Sequence, residues 1–195
     1  MENYGSLRGL VLSGGESRRM GRDKGLISTE ATSWVNRAGT LLHKVGLPVN
    51  ISIREDQRSA YIAAILPDFE LLSDLDLPMG GPLKGLLSFH QRYPHQDVLV
   101  LPCDMPKLTT ELLRDLAGFY KNQPHSEAWI FKINEVAQPF PGIYSARLLA
   151  DTFAKVGSGS LSRHGLVHLL RAAKTVMKVA KDETAFRNFN SPADF

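Results

Sequence analysis

The chain has 195 residues, of which 43% are hydrophobic and 22% charged, and this composition is typical of a soluble globular protein with one buried core. Its formal net charge is only +3 and its basic residues are spread along the chain, so we expect no nucleic-acid partner. One cysteine excludes an intramolecular disulfide, and the lack of an export signal or an apolar run of ~18 residues predicts a cytoplasmic protein without a membrane segment. We expect residues 1–195 to form a single domain.

The first part of the chain alternates between strand-like and helix-like patterns. Arg8–Leu12 predicts a buried strand followed at once by a glycine-rich loop. Apolar residues recur every three or four positions in Ser33–Val45, which predicts a helix. Val49–Ile53 alternates as a second strand, and a helix around Tyr61 is expected to end at Pro67.

The middle of the chain continues this alternation. Phe69–Leu72 predicts a short strand, and Leu83–His90 predicts a helix that begins after a Gly-Gly-Pro segment. Asp97–Leu101 is apolar on both faces, as a central parallel strand should be. A helix should then run to Tyr120, with Thr109 as its N-cap.

The last part of the chain adds three predicted strands and two predicted helices. The strands are Ala128–Ile133, Phe140–Ser145 and Thr175–Val179, and the helices are Arg147–Phe153 and Leu161–Ala172. Strands that alternate with helices predict right-handed βαβ units, and hence an α/β fold with a single doubly wound, mostly parallel sheet of the Rossmann-like type. Ligands in such sheets bind beyond the carboxyl ends of the strands, so the loops that follow the strands are the candidate sites.

The loop after the first strand, Ser13–Lys24, has the features of a phosphate-binding loop. Gly14 and Gly15 allow the backbone to approach a ligand closely and to point N–H groups at phosphate oxygens. Arg19 and Lys24 add permanent positive charge. The spacing fits neither the P-loop nor the dinucleotide fingerprint, and a simple basic strand-to-helix turn is the alternative interpretation.

Two further loops carry candidate carboxylates. Asp104 follows the most apolar strand and lies between two prolines, where it could hold Mg²⁺ together with substrate phosphates, although a turn or cap role is the alternative. Cys103 is interpreted as a small buried residue and not as a nucleophile, because no partner can be assigned to it. Asp74 follows the strand Phe69–Leu72 and could accept a hydrogen bond from a base or a ribose.

The first loop also resembles that of a known family. From Leu12 it matches, position for position, the pattern Leu-x-Gly-Gly-x-Ser-x-Arg-Met-Gly-x-Asp-Lys of the molybdopterin-guanine dinucleotide guanylyltransferases. Gly81–Leu86, Pro102–Pro106 and Asn188–Pro192 are similar to later motifs of the same family, in the same order. The resemblance therefore extends from Leu7 to Pro192.

The resemblance implies a Mg²⁺-dependent nucleotidyltransferase that moves GMP from GTP onto the phosphate of molybdopterin and releases pyrophosphate. It also implies transient contacts with proteins of cofactor biosynthesis or with acceptor molybdoenzymes. By position, Asp104 would hold the metal ion, and Asn188 and Asn190 would lie near the molybdopterin. The implied catalytic residues are Arg19, Lys24 and Asp104. The implied nucleotide-binding residues are Leu12, Ser13, Gly14, Gly15, Lys24, Asp74 and Asp104.

Three alternatives to guanylyl transfer follow from the same residues. A CTP-dependent cytidylyltransferase of the same cofactor, or another small-molecule phosphate nucleotidyltransferase, would share the loop and the metal ligand. A catalytically silent nucleotide-binding protein is a third alternative, against which the joint presence of Lys24, Asp74 and Asp104 speaks. The chain departs from the family pattern at 31–33, where Ala-Thr-Ser replaces a Gly-x-Pro turn, and at Ser52, the nearest candidate for a polar residue that is commonly asparagine.

Overall fold

A computed structural model describes residues 6–15, 23–29, 32–161 and 163–189. None of the helices in these ranges has the length and apolar character needed to cross a membrane. In chain order the strands are β1 (Leu7–Leu12), β2 (Ser28–Thr29), β3 (Thr32–Ser33), β4 (Val49–Ile53), β5 (Phe69–Ser73), β6 (Asp97–Pro102), β7 (Ala128–Ile133), β8 (Val136–Tyr144) and β9 (Thr175–Val179). The helices are α1 (Trp34–Lys44), α2 (Arg58–Ala64), α3 (Pro82–Arg92), α4 (Thr110–Lys121), α5 (Ala146–Gly157) and α6 (Leu166–Ala172).

Within the described residues, seven strands form one sheet in the order β5-β4-β1-β6-β8-β7-β9. β1 pairs in parallel with β4 on one side and with β6 on the other, and β8 is the strand that runs antiparallel to its neighbours β6 and β7. After β1 the chain builds outward through β4 and β5, and it then crosses back over β1 to form β6. This arrangement confirms the predicted mostly parallel α/β sheet.

The two faces of the sheet are covered by different helices, which makes the sheet doubly wound. Apolar residues of α1, α2 and α4 pack in one core cluster, and those of α3, α5 and α6 pack in the other. Because central strands are buried on both faces, consecutive residues are equally inaccessible: Leu10 and Val11 of β1 both have an exposed fraction of 0%. The same burial explains the consecutive apolar residues Val98–Leu101 in β6.

Serine or threonine hydroxyls cap the amino ends of three helices, a position at which these residues are preferred. The Ser33, Thr109 and Ser145 hydroxyls accept hydrogen bonds from backbone N–H groups in the first turns of α1, α4 and α5. The cap at Thr109 was predicted. Ser33 also pairs with Ser28 in the small β2–β3 hairpin, so α1 has a defined start without the family's Gly-x-Pro turn.

The connection between β7 and β8 is a tight hairpin. β8 begins at Val136, four residues before the predicted strand, because Asn134 and Glu135 form a two-residue turn with φ values of 46° and 62°. Positive φ at both positions matches the twist of antiparallel strands, so β7 and β8 pair directly. Both strands were predicted with no helix between them, and the difference from the prediction is that β8 is longer at its amino end.

The last helix is shorter than predicted. α6 begins at Leu166, with Gly165 as its N-cap, whereas the prediction began at Leu161. Leu161 packs against the core cluster of α3 and α5 without being helical. Leu161 is apolar because it packs against this core, and its spacing from the residues of α6 resembled that of a helix.

Candidate active site

The carboxyl ends of β1, β4, β5 and β6 meet at one edge of the sheet, around a cleft of about 860 Å³. β4 and β5 lie on one side of β1, and β6 lies on the other. Ligands of doubly wound sheets bind at such a change of side. The first loop contributes Leu12, Ser13, Gly14, Gly15 and Lys24 to the lining of the cleft. Asp74 and Asp104 also line it, from the loops after β5 and β6.

Seven of the eight predicted site residues therefore share one cleft, although they come from three separate loops. The eighth, Arg19, lies outside the described residues, which omit 16–22. Its predicted role in catalysis stays a prediction from the sequence. The structure thus brings together the predicted residues that it describes.

Lys24 and Asp104 form an ion pair at the centre of this arrangement. The Lys24 Nζ lies 3.0 Å from Asp104 Oδ2, and the exposed fractions of the two side chains are 17% and 18%. Removing a charged group from water costs free energy, and the attraction between the ammonium and the carboxylate offsets part of that cost here. The carbonyl of Asp104 is also held, because the Phe189 N–H donates to it over 2.9 Å.

Asp104 fits a metal site that substrate completes. The described residues contain no group of three or more His, Cys, Asp or Glu side chains that could hold a metal ion. Mg²⁺ is commonly bound by one or two carboxylates together with substrate phosphates and water, so a single carboxylate beside a phosphate-binding loop suits it. The donor set therefore fits Mg²⁺ bound with a nucleotide, and not a preformed protein cage.

Asp74 is positioned by a buried serine and by a close backbone approach. The Ser52 Oγ donates to Asp74 Oδ1 over 2.5 Å. A Cβ at Gly14 would lie 2.8 Å from Asp74 Oδ2, so a side chain there would displace the Asp74 carboxylate. Burial raises the pKa of Asp74, while the Ser52 hydrogen bond and the charges of Lys84 and Arg54 oppose that rise.

Cys103 is buried, as predicted, and has the properties of a structural residue. Its exposed fraction is 7%. Burial raises the pKa of the Cys103 thiol to about 12, so it is protonated near neutral pH. The Ser13 Oγ lies 3.5 Å from its sulfur. A buried, protonated thiol is a poor nucleophile, in agreement with the interpretation from the sequence.

Three residues of the cleft escaped the sequence analysis. Arg54 directly follows β4, so the rule that ligands bind beyond the carboxyl ends of strands could have identified it. Lys84 lies in the first turn of α3, within a segment that the family resemblance covers. Phe140 reaches the cleft because β8 runs antiparallel to β6, a pairing between segments that are distant in the chain.

The C-terminal segment approaches the same edge of the sheet. Phe189 packs edge-on against Trp34, with 6.2 Å between the ring centroids, and its N–H binds the Asp104 carbonyl. Asn188, which the resemblance placed near molybdopterin, is therefore adjacent in sequence to the residue that contacts the Asp104 loop. Asn190 lies outside the described residues.

Comparison with known proteins shows the family of the chain. The model of the MobA-like NTP transferase domain matches residues 9–180. A molybdenum cofactor guanylyltransferase of Pseudomonas putida is 30% identical over 186 residues, which cover 94% of this chain and 92% of that protein. A probable molybdenum cofactor guanylyltransferase of Methanothermobacter thermautotrophicus is 28% identical over 188 residues, with 94% of each chain covered.

Solved structures share the fold. Molybdopterin-guanine dinucleotide biosynthesis protein A of Archaeoglobus fulgidus matches with a TM-score of 0.74 and 19% identity, over 96% of this chain and 94% of that one. The 4-diphosphocytidyl-2C-methyl-D-erythritol synthase of Anaerococcus prevotii matches with a TM-score of 0.72 and 12% identity, over 98% and 93% of the two chains. Proteins named for different substrates therefore share this fold, and the fold alone does not select the nucleotide. The family match covers most of the chain, and the chain belongs to the MobA-like NTP transferase family, with molybdenum cofactor guanylyltransferases among its relatives.

Proposed function

We propose that the protein transfers GMP from GTP to the phosphate of molybdopterin, which forms the guanine dinucleotide form of the molybdenum cofactor and releases pyrophosphate. The observation that carries this proposal is the convergence of Gly14, Gly15, Lys24 and Asp104 on one cleft at the switch point of the sheet. The relatives named as guanylyltransferases support GTP as the nucleotide.

The reaction needs positioning and charge neutralisation more than it needs proton transfer. A non-bridging oxygen of the molybdopterin phosphate attacks the α-phosphorus of GTP in line, and the bond from that phosphorus to the α–β bridging oxygen breaks. The electron pair leaves with pyrophosphate. The attacking phosphate is already anionic, so no residue has to act as a general base.

The first loop supplies the positive environment for the triphosphate. The backbone amides near Gly14 and Gly15 lie at the cleft, and the Lys24 ammonium can turn from Asp104 to a phosphate oxygen of the bound nucleotide. Arg19, proposed from the sequence, adds a second cation for the β- and γ-phosphates as they leave. Such preorganised charge stabilises a transition state in which negative charge moves onto the leaving group.

Two carboxylates complete the proposed nucleotide site. Asp104 would hold Mg²⁺ against the phosphates, and the ion would supply Lewis-acid stabilisation of the leaving pyrophosphate. When Lys24 turns toward a phosphate, an Asp104 oxygen loses its partner and becomes available to a cation. Asp74, fixed by Ser52, would accept a hydrogen bond from the ribose or the base.

Thermal unfolding with each nucleotide tests the proposal. Since a ligand that binds only the folded chain raises its stability, GTP with Mg²⁺ should raise Tm by several degrees at a hundredfold excess over Kd, while CTP, ATP and UTP should raise it far less. Pyrophosphate release from GTP in the presence of molybdopterin is the accompanying activity measurement. A larger shift with CTP, together with release from CTP, would assign the protein to cytidylyl transfer instead.

A further inference from the structure

One residue of the first loop that matches the family pattern has no role in the mechanism above: Asp23, which precedes Lys24. The chain leaves β1 at Ser13 and returns to described structure at Asp23. Both ends of this loop contact a single segment, Arg54–Tyr61, which follows β4 and contains a short 3₁₀ turn and the start of α2. The side chains of that segment determine how the two ends are held.

The carboxylate of Asp23 accepts three hydrogen bonds. Its Oδ1 accepts hydrogen bonds from the Tyr61 hydroxyl over 2.7 Å and from the Gly25 N–H over 3.0 Å. Its Oδ2 accepts one from the Gln57 amide. A carboxylate has about four lone-pair sites, and three of them are occupied here by hydrogen-bond donors that stabilise its charge. Asp23 is therefore an anchor for the returning end of the loop.

The same two side chains also hold the departing end of the loop. The Ser13 and Tyr61 hydroxyl oxygens are 2.6 Å apart, and the Gln57 amide donates to the Ser13 carbonyl over 3.3 Å. Tyr61 has an exposed fraction of 0% and Gln57 one of 6%, so neither is free to rearrange. Packing is tight as well, because a Cβ at Gly25 would collide with both hydroxyl oxygens.

Arg54 extends this contact to the paired glycines. Its guanidinium donates to the carbonyls of Gly14 and Gly15, each over 3.0 Å. Asp56 receives two further hydrogen bonds from the same guanidinium, over 3.0 and 3.1 Å. The glycine carbonyls are thus turned toward Arg54, which orients the neighbouring peptide units at the edge of the cleft.

We propose that Tyr61 and Gln57 are positioning residues for nucleotidyl transfer, which fix Lys24 relative to Ser13–Gly15 by fastening Asp23 to Ser13. Lys24 is the next residue after Asp23, so a fastened Asp23 defines where the ammonium can reach. The inference rests on the proposed function, because it assigns these residues to the binding of the triphosphate. Binding residues that are already in place lose less conformational freedom when the ligand binds.

Tyr61→Phe tests the inference, with Tyr120→Phe as its matched control. The Tyr120 hydroxyl also donates to a carboxylate over 2.7 Å, but its partner is Asp97 at the amino end of β6, the opposite edge of the sheet. Both variants lose one tyrosine–carboxylate hydrogen bond. We expect Tyr61→Phe alone to raise the KM for GTP about tenfold, with kcat within about threefold of wild type, while Tyr120→Phe changes neither by more than about twofold.

Binding measurements separate positioning from a general loss of stability. Isothermal titration should give Tyr61→Phe an affinity for GTP about tenfold below wild type but an affinity for GMP within about threefold, because Lys24 acts on the outer phosphates. Equal losses in the two tyrosine variants, or equal losses for GTP and GMP, would overturn the inference. If Tyr61→Phe does not fold, Gln57→Met removes the amide from the same junction and must produce the same pattern.

A double-mutant cycle provides the final check. In a Lys24→Ala background, Tyr61→Phe should have little further effect on GTP affinity, because Tyr61 acts through Lys24. Additive losses would contradict the inference. Wild-type protein that neither binds GTP nor releases pyrophosphate from it would instead refute the proposed function, so the two failures are distinguishable.

Discussion

Lys24 and Asp104 are 80 residues apart in the chain, yet their side chains pair over 3.0 Å in the cleft. Each has a different partner in the proposed reaction, since Lys24 would bind phosphate and Asp104 would bind a divalent cation. Binding of the nucleotide and of the cation should therefore be coupled. A phosphate that takes Lys24 frees the carboxylate, and a cation on Asp104 frees the ammonium.

This coupling predicts opposite effects of two substitutions on metal affinity. Asp104→Ala should abolish Mn²⁺ binding and reduce turnover by more than a hundredfold, because it removes the carboxylate that holds the ion. Lys24→Met should reduce turnover by a similar factor but tighten Mn²⁺ binding in the absence of nucleotide, because it removes the competing cation. Electron paramagnetic resonance of Mn²⁺ measures the free ion in both cases. Weaker Mn²⁺ binding in Lys24→Met would mean that the two groups do not compete.

At the scale of elements, the site depends on how closely α3 approaches the ends of β1 and β4. Gly85 lies in the first turns of α3, and a Cβ there would lie 2.6 Å from Leu12 Cδ2 and 2.7 Å from Ser52 Oγ. Ser52 is the residue that fixes Asp74. The absence of a side chain at Gly85 therefore controls the geometry of a residue in another element.

We predict that Gly85→Ala weakens GTP binding by about tenfold, because either α3 or the Ser52 hydroxyl must move. Gly118→Ala is the matched control in α4, where a new Cβ meets no described atom within 4 Å. The control should stabilise the protein by roughly 0.5–1 kcal/mol, because alanine favours a helix interior more than glycine does, and should leave GTP binding unchanged. Urea unfolding and titration with GTP give the two readouts. Unchanged GTP affinity in Gly85→Ala would show that the helix adjusts without disturbing Asp74.

At the scale of the whole molecule, one charged residue of the cleft, Asp74, lowers the free energy of unfolding. Asp74 is half-buried, and its pKa is raised above the ordinary value of an aspartate mainly by that burial. A carboxyl with a raised pKa in the folded state costs stability above that pKa, where it is charged. The cost disappears as the pH falls through the raised pKa, because the folded chain binds the proton more tightly than the unfolded chain does.

Asp74→Asn should therefore increase stability and decrease function together. At pH 7 we expect its urea midpoint to lie above that of wild type with an unchanged m-value, since the amide keeps an acceptor for Ser52 without the buried charge. The difference should shrink as the pH is lowered through the pKa of Asp74. GTP binding should fall at least tenfold, through loss of the charged acceptor. A lower midpoint at pH 7 would indicate that the charge is well compensated by Lys84 and Arg54.

The sequence by itself determined the local features of this protein. Val49–Ile53, Ala128–Ile133 and Thr175–Val179 form strands with the predicted bounds, because burial on the faces of a sheet leaves a direct pattern of apolar residues. The cap at Thr109 and the family of the chain were also predicted, from a residue type and from fixed spacings within one loop. The strand bounds, the cap and the loop motif all depend on residues that are close together in the sequence.

The tertiary structure alone decided which distant residues meet. The hydrogen bond from Tyr61 to Asp23 spans 38 residues and the pair of Lys24 with Asp104 spans 80, and neither leaves a periodic signal in the sequence. The pairing of β8 with β6, which brings Phe140 to the cleft, likewise joins segments that are distant in the chain. Such contacts are set by the order in which strands pack, and that order depends on the burial of the whole core and not on any local stretch of chain.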